Sequence, residues 1–202
     1  MRASPPPPGP PRPFAPPPFL EARVGPGMTA RAARWGKRPL VAVAVVFPGA
    51  GCASDPAGLE GLADLTADSF LGGTRRRTAR QLATAIDDLA AILEISAGSD
   101  SSVARLFVLE SDLDAGLALL AEVLTEAAFP GDEFEKSRRR LIDPLTEQRS
   151  EPDFLARERL LDRLYPGHPY GRLTPTERGL AAAGRDDAAR DAAERLALAR
   201  GT

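Results

Sequence analysis

Between Glu60 and Thr74 the chain reads EGLADLTADSFLGGT, and Asp64 and Asp68 stand four residues apart, which places both carboxylates on one face if the segment is helical. Such a pair could contribute to a hard cation, calcium or magnesium. Calcium takes roughly six to eight oxygens, commonly from a flexible loop, and two aspartates on a rigid helix supply too few. The plainer expectation is a helix face opening on a solvated groove, where unpaired aspartates repel each other by only tenths of a kcal/mol. Ala67, between them, offers neither a donor atom nor a base. Other side chains suited to nucleophilic or metal chemistry are scarce: the chain has one histidine, His168 in YPGHPYG, and one cysteine, Cys52. A catalytic zinc held by two or more nitrogen or sulfur ligands from one helix cannot be built from that inventory. His168 is expected to bond the backbone of its own loop. This reading assigns no catalytic, cofactor-binding or metal-binding residue.

Any role for these side chains depends on the elements that carry them. FLEARV and MTARAARW, on either side of Gly25-Pro26-Gly27, have the composition of paired strands, and LVAVAVVF is a continuous apolar run of the length expected for a central strand. A loop from Pro48 to Gly58 follows. Leu59, Leu62, Leu65 and Phe70 then set a helical period that stops at Gly72-Gly73. Thr78 is placed to cap a second helix with Leu82, Ile86 and Leu89 on its inner face. AILEISAG and SVARLFVL, split by a turn over Gly98 to Ser102, read as a hairpin. Ser111-Asp112 is expected to cap a long helix carrying Leu113, Leu117, Leu120 and Leu124. Asp132 to Arg149, Glu151 to Leu164 and Pro175 to Ala183 read as further helices, the first expected to kink or break at Pro144. This order of elements predicts an α+β fold, an antiparallel or mixed sheet with helices packed on one face.

A chain of 202 residues with 43% hydrophobic content supports one sizeable core. Half of its twenty prolines fall within residues 1–18, which are expected to form a disordered tail or linker ahead of a single domain spanning 19–202. Charge is nearly balanced, 26 Lys+Arg against 28 Asp+Glu, so no global field suggests a nucleic-acid partner. The runs Arg75 to Arg77 and Arg138 to Arg140 are expected to be solvated surface. No stretch is long and apolar enough to predict a membrane span. Gly36 to Cys52 has the ingredients of a lipoprotein signal, but it follows positions 1–35 and reads instead as a strand and turn. A lone cysteine excludes an internal disulfide framework and leaves cytoplasm and periplasm equally open.

Taken in order, FLEARVGPGM, RPLVAVAVVFPGAG, SDPAGLEGLA, LGGT, SAGSDSSVARLFVL, FPGDEFEKSRRRL and YPGHPYGR resemble the insulinase, pitrilysin and mitochondrial processing peptidase family, over Phe19 to about Asp187. That family carries the inverted zinc motif H-x-x-E-H. The resemblance places its two histidines and glutamate on Asp64, Asp68 and Ala67, and its third zinc ligand on or close to Pro144, with Asp143 or Glu147 as neighbouring registers. A degenerate zinc site, with no metal cofactor, is therefore implied. Two homologous halves close around an extended peptide in this family, and some members pair a zinc-bearing subunit with a homologous one lacking the motif. The implied role is a non-catalytic domain partnered by a homologous catalytic peptidase subunit or a second copy, contacted through an open sheet edge and apolar helix faces, with extended peptides as a further implied partner. Two alternatives stay open: a truncated remnant, incomplete at its C-terminus after Asp187, and a metalloendopeptidase with an unorthodox metal site.

Overall fold

The computed structural model describes residue 9 and residues 15–24 and 28–195. Most of the proline-rich tail expected over 1–18, and the Gly25 to Gly27 turn, lie outside the described residues. Strands β1 (Leu20–Val24) and β2 (Met28–Ala32) pair antiparallel from Leu20↔Ala32 to Val24↔Met28, as their composition suggested. They form a separate two-stranded sheet, almost wholly exposed.

The main sheet is antiparallel and contains β3 (Leu40–Pro48), β4 (Ile92–Ala97) and β5 (Ser101–Leu109) in the order β3-β5-β4. Here the structure corrects the sequence reading, because the apolar run LVAVAVVF lies at an edge and β5 is central. The reason is visible in the alternation along β3. Leu40 and Val46 are exposed while Phe47 is buried, so the run is apolar on both faces without being covered on both. Along β5, Ser102, Ala104, Leu106 and Val108 point inward and are fully buried.

The helices among the described residues are α1 (Leu62–Ser69), α2 (Ala79–Asp88), α3 (Leu113–Glu126), α4 (Gly131–Gln148), α5 (Pro152–Leu164), α6 (Glu177–Ala182) and α7 (Arg185–Arg195). Three of these seven, α1 to α3, pack on that inner face, and the others pack on helices and turns. Thr78 caps α2 in a reciprocal capping box with Gln81. The expected cap at Ser111-Asp112 is not made. Ser111 Oγ donates to the Asp112 carboxylate instead, and α3 is entered through a 3-10 turn at Glu110–Asp112.

Pro144 does not break α4, one of the two outcomes expected from sequence: the helix runs on to Gln148. Pro144 is exposed and its neighbour Leu145 is buried, so packing of the adjacent residue holds a turn that local preference opposes.

Two apolar clusters meet at α1. One, around Phe47, Phe70, Leu82, Leu106, Val108 and Val123, lies between sheet and helices, with Phe70 edge-on to Phe129 at 5.4 Å between ring centres. The other joins Leu62 and Leu65 of α1 to Phe134 and Leu145 of α4, Leu180 of α6 and Ala188 of α7. The motif helix is thus packed on several sides. In the basic runs Arg75, Arg76, Arg139 and Arg140 are exposed as expected, whereas Arg77 and Arg138 are half-buried. Arg77 pairs with the buried Glu122, and Arg138 crosses the Phe134 ring to donate to the Leu180 and Ala183 carbonyls at the end of α6.

Candidate functional site

A loop carboxylate positions the motif helix. Asp55 accepts the Gly61 N–H at 2.7 Å and the Ala63 N–H at 3.0 Å, supplying acceptors that the helix start lacks. Gly61 is required there, with φ +106° and space only for hydrogen: a Cβ would lie 2.6 Å from Pro175 Cβ.

From this start α1 places Asp64 and Asp68 one turn apart, but the groove of unpaired aspartates expected from sequence is not found. The Cys52 thiol donates to Asp64 Oδ2 at 3.2 Å. Arg140 of α4 donates to Asp68 Oδ2 at 2.6 Å. Burial raises the Asp64 pKa above the usual aspartate value; the thiol hydrogen bond lowers it, and neighbouring Asp55 raises it further. Burial, followed by the Asp64 charge, pushes the Cys52 thiol far up, which favours its neutral form. Ala67 is buried, with 2% of its surface exposed.

Asp143, Pro144 and Glu147, the candidate third positions, are exposed on α4. His168 Nδ1 accepts the Tyr170 backbone N–H at 3.2 Å, within a cluster of Tyr165, His168 and Tyr170 rings.

The sequence reading missed a buried polar network behind α1. Arg195, at the end of α7, donates to Asp191, Asp55 and the Gly51 carbonyl, while Asp191 lies against Thr66 of α1. Burial raises the Asp191 pKa, with Arg195 opposing it. The i,i+4 spacing of Asp191 and Arg195 was a signal, but it reads as an ordinary surface pair. Only the fold reveals Asp55, whose side chain is fully enclosed, as its third member.

Beside Asp64 lies a cavity of about 220 Å³, bounded by the Cys52 turn, the start of α1, the Gly98-Ser99 turn and the segment from Pro169 to Pro175. Among the described residues, no group of three or more His, Cys, Asp or Glu side chains is placed to hold a metal ion. The donors at the motif positions do not fit a zinc. One carboxylate is bound to a neutral thiol, the other to a guanidinium, and the third residue is an alanine.

The model of the insulinase family, peptidase family M16, matches residues 36–176, more than half of the chain. The chain belongs to the insulinase family. It is 25% identical over 115 residues to an uncharacterized zinc protease of Rickettsia bellii, covering 57% of this chain and 28% of that protein. It is 26% identical over 127 residues to an uncharacterized zinc protease of Mycobacterium leprae, covering 63% of this chain and 28% of that protein. The chain therefore spans little more than a quarter of the curated relatives it matches.

The fold of this insulinase-family chain is similar to that of a peptidase M16 inactive domain from Pseudomonas fluorescens, at TM-score 0.80 and 22% identity over 87% of this chain and 43% of that one. It is also similar to pitrilysin, at TM-score 0.76 and 17% identity over 91% of this chain and 20% of that one.

Proposed function

We propose that this chain is a non-catalytic insulinase-family domain that acts by association, lining a peptide chamber or supporting a homologous catalytic peptidase. The observation that carries this reading is Ala67. It occupies the position of the family's catalytic glutamate, and it is enclosed, so neither its chemistry nor its surroundings provide a base for a metal-bound water. Asp64 and Asp68, at the histidine positions, are engaged with a thiol and a guanidinium. The Pseudomonas fluorescens structure described as an inactive domain supports the same reading.

Surface features favour association. Strand β3 lies at the end of the main sheet and exposes Leu40 and Val46, and the neighbouring part of the chain exposes Phe19, Leu20 and Trp35. Helix α5 buries none of its residues fully and exposes Leu155, Leu160 and Leu164. A homologous zinc-bearing subunit, or a second copy, is the partner proposed for these surfaces.

The test is elemental analysis of the purified protein together with an assay on an unfolded peptide. The expected outcome is no stoichiometric zinc and no cleavage. One tightly held zinc per chain, or cleavage abolished by a chelator, overturns the proposal.

A further inference from the structure

The cavity beside Asp64 holds a carboxylate that no basic side chain among the described residues pairs with. At about 220 Å³ it has room for roughly seven waters at ~30 Å³ each. Three charged side chains line it, Asp55, Asp64 and Arg172. Asp55 shares Arg195 with Asp191, and its oxygens also take two backbone N–H groups. Arg172 donates to the Cys52 carbonyl at 3.3 Å and lies within electrostatic reach of Glu60. Asp64 has only the protonated Cys52 thiol on one oxygen, and no basic side chain is paired with it among the described residues. A carboxylate held in a cavity wall with one weak donor retains capacity for stronger N–H donors.

We propose that this cavity binds a compact organic cation, an ammonium or guanidinium group the size of a lysine or arginine head, with Asp64 as its counter-ion. A metal ion is the poorer occupant, because the wall offers one free carboxylate and a neutral thiol where a divalent ion needs several anionic or neutral donors. An anion is opposed by Asp64 itself and by Asp100, which accepts the Tyr170 hydroxyl at 2.5 Å next to the cavity wall. Tyr170 also brings an aromatic ring to that wall, a surface that suits a cation. The residue that resembles a lost zinc ligand is thereby assigned a different ligand, and the assignment does not depend on a partner subunit.

Isothermal titration of the full chain with N-acetyl-arginine amide, N-acetyl-lysine amide and N-acetyl-alanine amide tests this, with a chelator present throughout. Saturable millimolar binding of one or both cationic probes, and none of the neutral one, is the expected result. Asp64→Asn should weaken it about tenfold or more. Equal binding of the neutral probe, no saturation by either cationic probe, or undiminished affinity in a folded Asp64→Asn protein overturns the site. Should that variant not fold, the contrast between cationic and neutral probes on the parent protein decides the matter. Zinc found by elemental analysis would defeat the non-catalytic reading and would leave this contrast to be measured separately in the chelated protein.

Discussion

Asp64 and Asp68 are the same residue type on the same helix, one turn apart, yet the protein treats them differently. Asp68 lies near the end of α1 on a half-exposed surface, where the Arg140 guanidinium reaches it from α4. Asp64 is drawn into the wall between the Cys52 turn and the Pro169 to Pro175 segment, where its partner is an uncharged sulfur. Helical spacing explains why they share a face, but their partners come from elements far away in sequence. Two like residues one helical turn apart can therefore acquire separate physical roles.

The position between them gives the largest expected effect. Ala67→Glu places a carboxylate where 2% of the native surface is exposed, and the cost of burying that charge is about 3 kcal/mol or more. Restoring the whole motif through Asp64→His, Ala67→Glu and Asp68→His should therefore yield an unstable protein without peptidase activity, since Pro144 offers no third ligand and Asp143 and Glu147 are exposed. Urea denaturation of the single and triple variants checks this. A triple variant as stable as the parent and able to cleave peptide would mean that the helix can expose position 67, and that a carboxylate of α4 already serves as a ligand.

Periodicity made much of this legible. The helical repeat of Leu62, Leu65 and Phe70, the cap Thr78, and the hairpin from Ile92 to Leu109 each encode their structure locally. The edge position of β3 was not legible, because a run apolar on both faces reads the same whether or not the second face is covered. Pro144 misled for the opposite reason: its local preference was read correctly and overridden by packing of Leu145. At the site, the residue types at positions 64, 67 and 68 could be read directly. The partners could not be read, because Cys52, Arg140 and Arg195 meet α1 only through the tertiary fold.

The next contrast is one of sign. Asp64 has a raised pKa, chiefly from burial, so its charged form is disfavoured in the folded state relative to the unfolded chain. Its unfavourable contribution is absent below the unfolded value, grows as pH rises to the folded pKa, and is fully present above it. Asp64→Asn removes that charge and keeps an acceptor for the Cys52 thiol. The variant should be more stable than the parent at neutral pH, and the difference should shrink as pH falls through the folded pKa towards the unfolded one. Urea melts of both proteins at neutral and at mildly acidic pH measure it. A difference that widens on acidification would show that the carboxylate stabilises the fold, and that its thiol hydrogen bond outweighs its burial.

Asp68→Asn is expected to move stability the other way, and by the least. Its pair with Arg140 is short at 2.6 Å, but Arg140 keeps 56% of its side-chain surface in water and Asp68 keeps 32%, so solvent and salt screen much of the attraction. Arg140 also retains its hydrogen bond to Ser137 Oγ, at 2.9 Å, when the carboxylate is gone. The loss should be about 0.5 kcal/mol or less at low salt, and should shrink further as salt is added. The Asp64→Asn effect should respond less to salt, because a buried charge is less screened. Urea melts of both variants across a salt series compare them directly. If Asp68→Asn costs well over 1 kcal/mol and salt leaves that loss unchanged, the Asp68–Arg140 pair is enclosed in solution, and the exposed end of the motif helix is as closed as the end that holds Asp64.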